Sequence, residues 1–180
     1  MPNCPTCAAI NRRRFLRSLL PGAMAFSVLA AAQPAKAEKI PKALILTCID
    51  YRMLESERYF LSLKNLGGQY DWTALAGGAF ALTGYPHKAD AEAFWDQLEI
   101  STRVHHIQKV ILIDHQDCGA YATGVDANLT KDPVREQEVH TKYLSQAYWA
   151  IRDRYPDLNI ELYFATLKAE MKSILPLSRS

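Results

Sequence analysis

Ala43-Leu44-Ile45-Leu46-Thr47-Cys48-Ile49-Asp50-Tyr51-Arg52 joins an uninterrupted apolar run to a compact set of chemically active side chains. A short run of this kind, without polar alternation, predicts a strand buried on both faces, here residues 42–47. The arrangement recurs once: Val110-Ile111-Leu112-Ile113 leads through Asp114 into His115-Gln116-Asp117-Cys118. If the two runs are parallel neighbours, their carboxyl ends gather Cys48, His115 and Cys118. Two thiolates and an imidazole are donors that zinc prefers, and three protein ligands leave a fourth position for water. The pattern therefore points toward a zinc hydrolase or hydratase.

Working outward, strands and helices alternate. Residues 53–66 predict a helix, with Leu54, Phe60, Leu61 and Leu66 in its apolar stripe and Gly67-Gly68 as its stop. A short strand follows at 72–76, then a Gly77-Gly78 loop. A helix is expected over roughly 88–106 with Phe94, Leu98 and Val104 on one face. The third strand is 109–113, a long amphipathic helix covers 132–155, and a fourth strand covers 159–165. A final short helix is expected at 167–175. Strands separated by helices predict right-handed crossovers and an α/β fold: an open, mainly parallel sheet of about four strands with helices on both faces. In such sheets the ligand site lies beyond the carboxyl ends of the strands, where strand order reverses. Both clusters fall there.

The first 37 residues read differently. Arg12-Arg13-Arg14-Phe15-Leu16-Arg17 precedes a small-residue apolar run and an Ala35-Lys36-Ala37 cleavage pattern. This resembles a bacterial twin-arginine export signal, which implies a mature domain of residues 38–180 in the periplasm or secreted medium, touching a membrane only during export. The chain carries a formal net charge of +2. Five of its 21 basic residues and none of its 19 acidic ones lie in 1–37, so the remainder has a net charge of −3. No basic tract remains for a nucleic acid. Cys4-Pro5-Thr6-Cys7 would leave with the signal, so Cys48 and Cys118 are the cysteines of the mature chain. In an oxidising compartment they could instead form one structural disulfide. A bridge would not explain the company of Asp50, Arg52 and His115, and a zinc taken up before export would protect both thiolates.

C-x-D-x-R after one strand and H-x-x-C-G after another is similar to the β-class carbonic anhydrases, over most of residues 38–180. The resemblance implies Cys48, His115 and Cys118 as zinc ligands, Asp50 and Arg52 as the catalytic dyad, and Gly119 after the last ligand. It also implies hydration of carbon dioxide to bicarbonate by a zinc-bound hydroxide, in a homodimer or higher homo-oligomer. Physically, Arg52 can hold Asp50 ionised through a charge-assisted fork, leaving Asp50 to orient the nucleophile rather than displace it. An ordinary surface ion pair is the plainer reading of those two residues. The chain departs from the family where Ile49 and Tyr51 replace small hydroxyl residues, and where Leu75-Ala76-Gly77-Gly78-Ala79-Phe80 replaces an N-A-G loop. Gly77 and Gly78 could still bring backbone amides to the pocket, with Phe80 lining it. His87, His105, His106 and His140 read as surface histidines before proton shuttles. Asp114 and Asp117 read as solvated loop-edge acids, or as groups that orient His115. Two other functions fit the same residues: hydrolysis of carbonyl sulfide or carbon disulfide, and a catalytically silent zinc protein.

Overall fold

The computed structural model describes residues 40–179; the expected export signal and Cys4-Pro5-Thr6-Cys7 lie outside the described residues. Strand β1 (Ala43–Thr47) is followed by helix α1 (Leu54–Leu63), β2 (Tyr70–Ala74) and a 3₁₀ turn (Gly78–Thr83). Helix α2 (Lys88–Val104), β3 (Lys109–His115) and the short α3 (Gly119–Gly124) come next. A 3₁₀ turn at Leu129–Lys131, α4 (Pro133–Arg154), β4 (Asn159–Ala165) and β5 (Met171–Ile174) complete the chain. The sheet runs β2-β1-β3-β4-β5. The first four strands are parallel, and β5 is antiparallel to β4. Strand order reverses between β1 and β3, so the carboxyl ends of these two strands, leading to Cys48 and His115, emerge side by side at the switch point.

The central strands are buried because both sheet faces are covered. On one face Leu44, Leu46, Val110, Leu112, Leu162 and Phe164 pack against Phe94 and Leu98 of α2 and Leu144, Ala147 and Ile151 of α4. On the other, Ala43, Ile45, Ile111, Ile113 and Ala165 meet Met53, Leu61 and Leu66 around α1. Each fully buried Leu or Ile contributes about 1.5–3 kcal/mol relative to exposure, so β1 and β3 are the firmest platform available to the loops that follow them. Helix α4 starts where the sequence says it must: Pro133 opens it and the Asp132 side chain accepts the amides of Val134 and Arg135, each at 3.1 Å. Among the described residues no helix is long and apolar enough to cross a membrane.

Three sequence expectations change. The expected helix at 167–175 is instead a tight turn and strand β5. Ala169 adopts a left-handed conformation (φ 62°), the Thr166 amide donates to the Glu170 carbonyl, and residues 171–174 pair with β4. The unpaired edge of β4 outweighs the local helix preference, making five strands rather than about four. Helix α1 stops at Leu63, short of the expected Leu66, because Asn65 turns left-handed (φ 58°). The loop after β2 is ordered as the Gly78–Thr83 turn, and β2 itself begins two residues earlier than expected, at Tyr70.

Candidate metal centre and its neighbours

Cys48, His115 and Cys118 converge, all three buried, with one sulfur or nitrogen atom from each lying within 4.8 Å of the others. The cysteines are free thiols whose sulfurs stand 3.8 Å apart, far beyond a disulfide bond of about 2.05 Å. The same separation is what two zinc–sulfur bonds of about 2.3 Å span at a tetrahedral angle. His115 Nδ1 faces the Gln116 carbonyl at 2.8 Å. A carbonyl only accepts, so Nδ1 carries the proton and Nε2 presents its lone pair. That Nε2 is buried with no hydrogen-bond partner among the described residues. An orphaned ring nitrogen aimed at two sulfurs is the donor set of a metal ion, and the residues present fit one.

The electrostatics agree. The Cys48 thiol is pushed down to about 4, first by its hydrogen bond with Cys118, then by His115 and the Gly77 amide, against a burial penalty. The Cys118 thiol is pushed up by sharing that bond and by burial. Burial opposes charge on His115, but the Cys48 sulfur outweighs it and raises the imidazole above its ordinary value. Cys48 is thereby held as a thiolate, the form in which a cysteine binds a cation.

Backbone geometry prepares the first of these donors. The Gly77 amide donates to Cys48 Sγ at 3.3 Å. Gly78 is left-handed (φ 53°), and a Cβ there would lie 2.5 Å from Asp114 Oδ1. Only glycine fits. One half of the sequence reading of this loop holds, since the Gly77 amide reaches Cys48, but Phe80 is buried among Cys48, Cys118, Tyr121 and Leu129 instead of lining the cleft.

Asp50 and Arg52 lie beside the group. Arg52 Nε meets Asp50 Oδ1 and Oδ2 at 3.0 and 3.1 Å, Nη2 meets Oδ2 at 2.6 Å, and the Arg52 amide donates to Oδ1 at 3.0 Å. These bonds pull the Asp50 carboxyl down to about 2. Its Oδ2 stands 3.9 Å from His115 Nε2. The Asp50 side chain is 15% exposed and turned toward the sulfur–nitrogen group, while its partner Arg52 is 36% exposed at the rim. An open cleft of about 520 Å³ leads in, lined by Ile49, Asp50, Tyr51, Arg52, Ala76 and Ala120 with Cys48 and Gly119. A second cleft of equal volume at the start of α4 holds none of these donors.

Several neighbours differ from their sequence readings. Asp114 is buried, not solvated, and does not orient His115. It accepts the Ala79 amide (2.9 Å) and the Tyr121 hydroxyl (2.5 Å), and bonds His140 Nδ1 (3.0 Å). His140 is therefore a core residue rather than a surface one. The Gln116 carbonyl takes the orienting role expected of an acid. His105 pairs with Asp71 at 2.7 Å, and His87 and His106 are exposed. Glu57 is the residue the sequence hid: 1% exposed, with Oε1 lacking a partner, and pushed up to about 8 by burial. Its only sequence signal was its spacing of four from Leu61 on the inward face of α1.

A family model described as "Putative carbonic anhydrase" matches residues 38–175. The chain belongs to that family. An uncharacterized protein of Rickettsia bellii is 25% identical over 131 residues, covering 73% of this chain and 80% of the relative. Among solved structures, β-carbonic anhydrase isoform I of Trichomonas vaginalis superposes with a TM-score of 0.57 at 15% identity, over 80% of this chain and 88% of that one. One of two tetrameric β-carbonic anhydrases of Sordaria macrospora gives 0.54 at 11% identity, over 76% and 81%. At these identities the likeness establishes the fold: this chain has the β-carbonic anhydrase architecture.

Protein purified without chelator should hold close to one metal ion per chain by elemental analysis. Cys48→Ser, His115→Ala and Cys118→Ser should each abolish most of it, and full retention by any one would remove that residue from the group. Glu57 makes a separate prediction. Its folded-state value lies above the ordinary 4.5, so between pH 4.5 and about 8 the folded chain holds a proton that unfolding releases. Stability should fall as pH rises through that window. Glu57→Gln should match the parent near pH 5 and exceed it at pH 8 by on the order of a few kcal/mol; parallel melting curves at both pH values would refute this.

Proposed function

We propose that this protein is a zinc-dependent carbonic anhydrase that interconverts carbon dioxide and bicarbonate. The observation that carries the reading is the orphaned His115 Nε2, aimed at two free sulfurs 3.8 Å apart and standing 3.9 Å from an ionised Asp50. Cys48, His115 and Cys118 would hold the ion, and a fourth side would stay open toward the cleft. When bound, zinc would lower the pKa of a water to near 7 and so supply a nucleophile at neutral pH.

The chain's own residues supply the rest. Asp50, held ionised and immobile by Arg52, is an acceptor that fixes the remaining proton of a nucleophile placed at the open side. Held by Arg52 through four bonds, it is kept from turning inward as a fourth donor. Ile49, Tyr51, Ala76 and Ala120 give the cleft apolar walls, which suit an uncharged triatomic substrate. The same apolar walls favour a second substrate class, carbonyl sulfide or carbon disulfide, for which size rather than charge decides access.

We further propose that the protein functions as a homo-oligomer. Tyr51 and Ile49 are 85% and 65% exposed beside the cleft, a costly arrangement for large apolar groups unless another copy covers them. Light scattering should give a mass at least twice that of one chain of the protein as purified; a monomer at micromolar concentration would defeat this.

For the chemistry, stopped-flow hydration of carbon dioxide by the zinc-loaded protein is the test. Asp50→Asn and Arg52→Ala should keep the metal yet lose roughly 10²–10⁴-fold in rate. Parental rates in both would make the pair structural. A zinc-full parent without hydration, but with turnover of carbonyl sulfide, would transfer the reading to that substrate; activity toward neither would make it a silent zinc protein.

A further inference from the structure

The Arg52 guanidinium has two acidic partners, not one. Its Nη1 donates to Asp117 Oδ2 at 2.8 Å and its Nη2 to the Asp117 carbonyl at 2.9 Å, while Nε and Nη2 hold Asp50. Asp117 sits between His115 and Cys118 in a left-handed conformation (φ 58°), which Asp and Asn tolerate better than other side chains with a Cβ. Its own amide donates to Glu136 Oε1 at 2.7 Å. Glu136 is buried on the first turn of α4, a helix fixed by the Asp132 cap. An unbroken path of hydrogen bonds thus runs from α4 through Glu136, Asp117 and Arg52 to Asp50. It crosses between the loop after β1 and the loop after β3.

We propose that Asp117 is a positioning residue: with Glu136 fixing its backbone, it locks the plane of the Arg52 guanidinium and so holds Asp50 in place at the open side of the metal group. The Arg52 side chain is 36% exposed, and a long side chain with that freedom does not stay planar against one carboxylate without cost. A second carboxylate and a carbonyl on its far edge remove the freedom, and Asp50 inherits the order. The recognition motif names Arg52 as the partner of Asp50; it does not say what holds Arg52. This inference rests on the hydration reading for its consequence, though not for its geometry.

The test uses the zinc-loaded full-length protein, with Asp117→Ala and Asp117→Asn. Asparagine keeps an acceptor oxygen and the left-handed preference but loses the charge, so it should recover most of what alanine loses. The first readout is NMR of the Arg52 guanidinium: hindered rotation gives separate Nη signals in the parent, and these should average in Asp117→Ala. The second is kinetic. Asp117→Ala should keep its zinc and lose about tenfold or more in kcat, short of the loss on removing Asp50 itself, with KM close to parental because an uncharged substrate is not bound by the dyad. If alanine prevents folding, Asp117→Asn is judged by the same readouts, with partial averaging and a smaller loss expected. Unchanged Arg52 signals, unchanged kcat alongside averaged signals, or zinc loss in both variants would each overturn the proposal. If the parent hydrates no carbon dioxide, the functional reading falls, and the Arg52 signals alone decide whether Asp117 positions it.

Discussion

The hydrogen-bonded ladder between β1 and β3, in register from Ala43 opposite Lys109 to Thr47 opposite Ile113, fixes the separation of the two loops that carry the chemistry. A parallel pair places both carboxyl ends on one side of the sheet, and the reversal of strand order leaves a crevice there. Cys48 leaves β1 one residue past the ladder, and His115 ends β3. Neither loop could hold three soft donors within bonding reach of one ion by itself. Both strands are buried on two faces, so the donors inherit the rigidity of the core rather than the mobility of loops.

Polar groups near this crevice divide by whether their bonds are complete. Asp114 has three donors around it and ties together β3, the Gly78 turn, α3 and α4. Its burial is well compensated. Among the described residues Glu57 Oε1, His115 Nε2, Glu136 Oε2 and His140 Nε2 are buried without partners. Only His115 has a ready explanation, in a metal ion. Glu57 carries a desolvation cost that no bond in the structure returns, which is the kind of local sacrifice found close to working sites.

Much of this was legible in the sequence. Two apolar runs, each ending in soft ligands, sufficed to place β1 and β3 as neighbours and to bring Cys48, His115, Cys118, Asp50 and Arg52 together. What escaped were features decided by tertiary contact. The segment after β4 has residues that favour a helix, but an open strand edge captured it as β5. His140 and Asp114 look like surface residues because nothing local reveals that they bond each other in the core. Asp117 looked like a solvated acid, since its bond to Arg52 spans 65 positions. Glu57 is invisible for the opposite reason: among the described residues no side chain bonds its buried Oε1, so no second residue could give it away.

Alternation along β3 has a consequence of its own. Asp114 and His115 are consecutive, so their side chains leave opposite sides of one strand. One reaches the Tyr121–His140 core and the other reaches the cysteine sulfurs. One strand thus serves two ends at once, the buried bonds around Asp114 and the sulfur–nitrogen group of His115, with Tyr121 bonded to the first and packed among the cysteines of the second. Two neighbouring codons therefore answer to separate demands, the first to whether the chain folds and the second to what the folded chain can bind.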